Sequence, residues 1–437
     1  MDAELIIHAD WLIPVDRPGY LQQHSIALSD GRISAILPRA EADQVNAADT
    51  VELPGHVITP GFVNTHTHSP MTLFRGLADD LPLMTWLNDH IWPAEGRWVH
   101  EEFVADGSRL AIAEMLRSGT TCFNDMYFFP DVTGRVASQA GIRATVGLIV
   151  IDFPSAWASA PDDYFDKAAK VHDQFRNDPL VQTAFAPHAP YSVGDQPLAR
   201  VAKLANELDV PIHIHVHETA AEVSGSLENY GVRPMQRLHE AGLVNPSLLA
   251  VHMTQLTDTE IAETAAAGAK VVHCPQSNLK LASGHCPFGT LIDAGVTVAL
   301  GTDGAASNND LDMMAEMQTA ALLAKGVNGD ACRLPAEQAL AMATLEGARA
   351  LGLEEVTGSL TVGKSADLVA IDLSEPETQP VYNPVSQLVY AASRDQVRHV
   401  WVSGEQLLKD RQLTTIDLPL TLQRAAEWRS RIAEPDT

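Results

Sequence analysis

The feature that most restricts the fold is an alternation through the middle of the chain. Eight short apolar runs recur there, and each closes on polar residues: HVITPGFVNTHTH, TTCFND, RATVGLIVID, VQTAFAPH, VPIHIHVHE, SLLAVH, AKVVHC and VTVALGTD. Helical patterns such as LAIAEMLRSG, LARVAKLANELD and TEIAETAAAGA separate many of them. Repeated strand–helix units imply a parallel sheet, because parallel neighbours need a long crossover. Eight such units predict closure into a (β/α)8 TIM-type barrel.

Outside that region the texture is antiparallel. LIIHADWLI and HSIALSDGRISAIL surround or contain Asp30-Gly31, a two-residue hairpin signal. DLVAIDL and QVRHVWVSGEQLL repeat the pattern near the other end. The expected fold is therefore α/β, a (β/α)8 TIM-type barrel with a small β-sandwich domain built from both chain ends. The expected boundaries are 1–58 for the first part of the sandwich, 59–358 for the barrel, and 359–437 for the rest of the sandwich plus a terminal helix, LQRAAEWRSRIAE, read as an amphipathic surface helix.

Charge narrows the partners. With 29 basic and 56 acidic residues the net charge is −27, which argues against nucleic acid because a polyanion needs a basic footprint. The four cysteines, Cys122, Cys274, Cys286 and Cys332, form no CxxC pair or cluster, so a reducing cytoplasm is expected rather than a disulfide framework. The N-terminus MDAELIIHADWLIP lacks a basic region before its apolar stretch and does not read as a signal peptide. No apolar run is long enough to span a bilayer.

Metal-competent residues stand at the predicted strand ends. In a barrel of this kind those ends form one face, so residues far apart in sequence converge. His66 and His68 end the first strand, two apart and therefore on one side, where both can reach a single ion. His188 ends the fourth, His252 the sixth and Asp303 the eighth. In the fifth, His213, His215 and His217 alternate onto one face and any of them could ligate. Glu218 faces away in an ideal strand, although a twist at the strand end could turn it inward. Asp303-Gly304 could equally cap a helix.

PGFVNTHTHSPMTLFRGLADDLPLMTWL, APHAPYSV, IHIHVHETAAEV, AVHMTQL, CPQSNLKLASG and LGTDGAASNNDLDMMAEM together resemble the amidohydrolase superfamily. Within it they are most similar to the 5′-methylthioadenosine/S-adenosylhomocysteine deaminases, over nearly the whole chain. The resemblance implies a metal held by His66, His68, His215 and Asp303, with His215 picked out by the HxxE pattern His215-Val-His-Glu218. His213 and His217 then take packing roles. It implies Glu218 as proton shuttle, Asp303 as base, and His252 beside the attacking water. It further implies ribose contacts from Glu95 and His188, with Trp86 as a pocket wall and Ser307 and Asn308 as turn residues. The cofactor expected is one divalent ion, zinc first, although such a donor set also accepts iron, manganese or cobalt. The substrate class is a small nucleoside, with no nucleic acid or membrane partner, and the resemblance adds a homo-oligomer.

One departure bears on substrate. Relatives that accept S-adenosylhomocysteine resemble one another in carrying arginines after the third strand and in the loop beyond it. TVGLIVIDFPSAWASAPDDYFDK has none. Leu148 stands in the first arginine's place, and Phe153, Trp157, Asp162, Asp163 and Tyr164 follow, so a charged amino-acid tail would meet carboxylates. Methylthioadenosine or adenosine is expected ahead of S-adenosylhomocysteine. The alternatives are an aminohydrolase or chlorohydrolase of a free base or s-triazine, which has no ribose for Glu95 and His188. A binuclear cyclic amidase would need a fourth-strand lysine that VQTAFAPH lacks, and a metal-free scaffold would lack the ligands.

Overall fold

In a computed structural model of the chain, residues 2–433 are described. All eight expected core runs form strands: β5 (Phe62–Thr67), β6 (Thr120–Asp125), β7 (Arg143–Val150), β8 (Val181–Pro187), β9 (Ile212–Val216), β10 (Leu248–His252), β11 (Lys270–His273) and β12 (Val298–Leu300). They lie in that order, parallel throughout. The seam between β12 and β5 is closed by Asp303 N–H donating to His66 O (3.0 Å), Thr65 Oγ1 to Leu300 O (2.7 Å) and Thr302 N–H to Asn64 Oδ1 (3.0 Å). A Cβ at Gly301 would lie 2.8 Å from Cβ of His66, so only glycine allows the two chain segments to approach there.

Local chemistry starts and stops the intervening helices. Asp258–Ala267 is opened by a Thr257/Glu260 capping box and ends at Gly268, whose φ of 66° is left-handed. Met313–Asn328 is capped by the Asp312 carboxylate and ends at Gly329.

The two chain ends share one mixed sheet, formed by β1 (Asp2–Leu12), β2 (Leu21–Ser29), β3 (Arg32–Pro38), β4 (Asn46–Pro60), β13 (Leu368–Asp372), β14 (Val397–Val402), β15 (Glu405–Lys409) and β16 (Gln412–Leu413). Its order is β16-β15-β14-β13-β4-β1-β2-β3, and the ends meet where β13 runs antiparallel to β4. Ile7, Ile26, Ile58, Leu368 and Trp401, drawn from both halves, fill one core, and the strands expected in a sandwich form one mixed sheet built from both chain ends. Asp30 and Gly31 turn between β2 and β3 with positive φ, as their hairpin signal requires.

Two segments near the C-terminus do more than expected. The helix Pro384–Tyr390 packs into the barrel's own core through Val385 and Leu388. The terminal helix Leu418–Ala433 is docked as well as amphipathic; Glu434, the last residue of the expected helix, lies outside the described residues. Trp428 is 1% exposed, packs against Phe103, and donates its indole N–H to Asp106 Oδ2 at 2.9 Å. Arg431 lies over both Trp428 and Trp98, the latter on the helix Trp92–Trp98 that also carries Glu95. Trp428→Ala is expected to cost about 3 kcal/mol, mainly from the lost buried aromatic, since Asp106 loses the indole donor but keeps Arg109 and Arg424. Thermal or urea unfolding checks it. No helix among the described residues is long and apolar enough to cross a membrane.

Candidate active site

The carboxyl ends of the strands bring His66, His68, His215 and Asp303 together, with one donor atom of each within 4.8 Å of all the others. His215 Nε2 lies 3.1 Å from His66 Nε2 and 3.3 Å from His68 Nε2. Asp303 Oδ1 lies 3.1 and 3.2 Å from the same two nitrogens. A tetrahedral site with bonds of about 2.0–2.1 Å has edges of about 3.3–3.4 Å, so these separations suit one small divalent ion.

Protonation supports that fit. His68 Nδ1 donates to Met126 O (2.6 Å) and His215 Nδ1 donates to His188 O (2.8 Å). Backbone carbonyls only accept, so each neutral ring turns the lone pair of Nε2 toward the common point. Two lone pairs facing each other at 3.3 Å repel unless a cation or a proton lies between them. Without an ion the Asp303 pair takes up a proton. Burial disfavours a charged His68, but the hydrogen bond and charge of Asp303 outweigh it and lift His68 to about 9. Fully buried His66 is pushed down to about 4, with Asp303 opposing. Metal binding must displace that proton, so affinity falls as pH falls.

Asp303 is held from several sides. Its Oδ2 accepts from Ser277 Oγ (2.7 Å) and Ser307 Oγ (2.8 Å), and Gly304 N–H donates to Oδ1 (2.9 Å). Ser307, expected only to turn the chain, also lines the cavity. Asn308 keeps its loop role: its amide donates to Thr302 O (2.7 Å) and to the buried Glu316.

Backbone conformation aims these side chains. His217, His252 and Asp303 have φ of 55°, 74° and 64°, left-handed values that are uncommon outside glycine and gather at functional sites. The turn at His217 resolves the alternation problem, because it rotates Glu218 into the cavity. Glu222 fixes that turn by accepting from the backbone N–H groups of His217 (3.0 Å) and Glu218 (2.7 Å). Burial pushes the Glu218 carboxyl up from its ordinary value, with His252 opposing. Ser283 Oγ donates to its Oε1 at 3.3 Å, and His252 Nε2 lies 3.8 Å from Oε2. His252 Nδ1 donates to Asn278 Oδ1 at 2.9 Å, leaving Nε2 to face the cavity.

The other two histidines of β9 divide as follows. His213 Nε2 meets His66 Nδ1 at 2.9 Å, directly behind the donor cluster. His217 ties β9 to neighbouring loops, donating from Nδ1 to Gln255 O and accepting from Met235 N–H. Ser277, Asn278, Ser283 and Glu222 were not singled out in the sequence. CPQSN and the Thr219-x-x-Glu222 capping pattern are the signals that could have found them.

The cavity above the cluster is walled by Trp86, Ile91, Trp92, Glu95, Phe128 and His188, among others. Trp86 is buried and anchored by its indole N–H donating to Ala78 O, beginning a π-helical turn, Trp86–Ile91, at the cavity edge. His188 Nδ1 is paired with Ser192 Oγ at 2.8 Å; burial holds the ring down at about 3, hence neutral.

The predicted arginine position needs correction. Leu148 does not line the cavity; Ile149 and Ile151 do, because side chains alternate along β7 and Leu148 lies on its other face. Asp162 and Asp163 are also elsewhere: Asp162 pairs with Arg200, and Asp163 accepts from Ser159 N–H. Trp157 and Tyr164 pack on each other, while Phe153 does reach the wall. Among the described residues the lining contains no lysine or arginine, and the wall formed by Ile149, Ile151 and Phe153 is apolar rather than acidic.

Comparison with known proteins agrees with this architecture. The model of the amidohydrolase family matches residues 57–407. A protein of Teredinibacter turnerae named 5-methylthioadenosine/S-adenosylhomocysteine deaminase is 50% identical over 428 residues, 98% of this chain and 97% of that one. A crystal structure of an adenosine deaminase from Xanthomonas campestris with bound zinc superposes with a TM-score of 0.97 at 55% identity, covering 99% of both chains. An atrazine chlorohydrolase from Arthrobacter aurescens matches at TM-score 0.91 over 97% of this chain and 100% of its own, but at 22% identity it speaks for the fold alone. The chain belongs to the amidohydrolase family, in its 5-methylthioadenosine/S-adenosylhomocysteine deaminase branch.

Proposed function

We propose that the chain hydrolytically deaminates 5′-methylthioadenosine and adenosine to the inosine analogue and ammonia, with one divalent ion, zinc, held by His66, His68, His215 and Asp303. The observation that carries this reading is the convergence of four donors, lone pairs inward, beside a buried acid and a further histidine. A divalent ion bound there supplies Lewis acidity, lowering the pKa of a coordinated water from about 16 toward about 7.

The protein groups do the rest. Asp303 takes a proton from the water that attacks C6 of the purine. Glu218, whose carboxyl burial pushes up from its ordinary value, gives its proton to N1 as the ring loses aromaticity. His252, with Nδ1 donating to Asn278, presents the Nε2 lone pair to the cavity, where it accepts a hydrogen bond from the attacking water and orients its oxygen toward C6. Asp303 then returns the water proton to the amino nitrogen, the C6–N bond breaks and ammonia leaves, while the new C6 hydroxyl gives its remaining proton to the Glu218 carboxylate, restoring the acid and leaving the 6-oxo group. Glu95 accepts from the ribose hydroxyls, and His188 supports the sugar with its free ring nitrogen. The reading is of a cytoplasmic homo-oligomer with no nucleic acid or membrane partner, which gel filtration of the pure protein tests.

Two outcomes follow for substrate binding. Burial pushes Glu95 up to about 7, with Tyr127 and His68 pulling it back. A protonated carboxyl loses an acceptor, so KM for a ribonucleoside should fall as pH rises through about 7. In Glu95→Gln that trend should vanish and KM should rise about 10–100-fold, since the lost bonds are to a charged group.

The second outcome concerns the 5′ tail. The apolar wall of Ile149, Ile151 and Phe153 favours a methylthio group, whereas a homocysteine carboxylate would meet no lysine or arginine among the described lining residues. kcat/KM for methylthioadenosine should exceed that for S-adenosylhomocysteine by about tenfold or more. Equal efficiency in a side-by-side assay would remove the argument.

A further inference from the structure

Tyr127 stands two residues beyond the end of β6, on the cavity wall. It is 5% exposed, and its hydroxyl meets no hydrogen-bond partner among the described residues. A buried, unpaired hydroxyl is costly and calls for an explanation. Two carboxylates bear on this phenol, Glu95 more strongly than Asp125. Asp125 is already engaged, accepting from Ser69 N–H (2.6 Å) and Thr67 Oγ1 (2.9 Å). That leaves Glu95, which lines the same cavity. Tyr127 and Glu95 bear on one another both by charge and as a hydroxyl and carboxylate within reach of each other, yet the hydroxyl does not meet full hydrogen-bond geometry with any partner among the described residues.

The gap has a definite chemistry. Burial and the Glu95 charge hold the phenol proton on at any working pH, so Tyr127 is a permanent donor. An ionised Glu95 only accepts. A group that joins them must accept on one side and donate on the other, which a hydroxyl does and a methylene does not. Given the nucleoside reading above, on which this rests, we propose that Tyr127 is a sugar-recognition residue: one ribose hydroxyl bridges the pair, accepting from Tyr127 Oη and donating to the Glu95 carboxylate. A sugar lacking that hydroxyl would leave both groups unsatisfied, and such sites discriminate against the missing group more strongly than apolar pockets do.

The test is Tyr127→Phe in the zinc-loaded, full-length protein. The phenylalanine keeps the ring and removes only an unpaired hydroxyl, so melting temperature and zinc content serve as controls for folding. kcat/KM is measured for 5′-methylthioadenosine and for its 2′-deoxy and 3′-deoxy analogues, in wild type and variant. The expected result is a ribo-to-deoxy preference that drops about tenfold at one sugar position and not at the other. A fall shared equally by all three substrates would assign Tyr127 a merely structural role, and an unchanged preference at both positions would leave its hydroxyl idle. Either result overturns the proposal while wild-type turnover keeps the deaminase reading intact. A wild type that turns over none of the three removes both.

Discussion

Replacing Asp303 by alanine is expected to lower kcat/KM by at least about 10⁴-fold and to strip the protein of metal. Two losses combine. One oxygen of the carboxylate faces His66 and His68, and the other is held by two serine hydroxyls, so its direction is set before any substrate arrives. Its removal takes away a metal donor and, in the proposed mechanism, the base that receives the water proton. The fold should survive, because residue 303 closes the barrel through its backbone N–H to His66 O rather than through its side chain. Kinetics, metal analysis and circular dichroism on one preparation decide it. A variant that keeps full metal and more than about one hundredth of the activity would show that Asp303 is neither ligand nor base.

Glu218→Gln separates chemistry from metal binding. Glutamine preserves the shape and can still accept from Ser283, but it has no acid proton to deliver. kcat should fall by about 10²–10⁴-fold with KM little changed and zinc retained. The sign of the pH effect is also fixed. Burial raises Glu218, so its acid form persists above the usual carboxylate range, and wild-type activity declines on the alkaline side as that proton is lost. The residual activity of the glutamine variant should lack that decline. Loss of zinc from Glu218→Gln would place the residue among the ligands instead.

The strands and the proposed ligand positions were legible because each barrel strand is an apolar run stopped by the residue that points into the mouth. His66, His68, His252 and Asp303 sit where that pattern ends. Strand five resisted: three histidines on one face differ only in depth, and what separates them is the backbone around them. His213 lies behind His66, His215 is aimed by the His188 carbonyl, and His217 is turned aside by its left-handed φ.

Phase was the other obstacle. Assigning Leu148 to the cavity instead of Ile149 is an error of one residue, which in a strand exchanges the two faces. The side chains that hold the site, Ser277 and Ser307 on Asp303, Asn278 on His252 and Glu222 on the Glu218 turn, carry no periodic signal. Each is polar and common in loops, and only its partner across space makes it distinctive. Tyr127 is hidden for the same reason: MYFF has the pattern of a packing run, and only a buried hydroxyl that no described residue satisfies sets it apart.

The most direct test of the central claim is ammonia release by zinc-loaded protein, before and after chelation, with 5′-methylthioadenosine, adenosine, S-adenosylhomocysteine, guanine and an s-triazine assayed in parallel. Fast, chelator-sensitive turnover of the first two is expected, with S-adenosylhomocysteine trailing and little release from the free base or triazine. Turnover of guanine or the triazine with none of the nucleosides, at full zinc content, would contradict it.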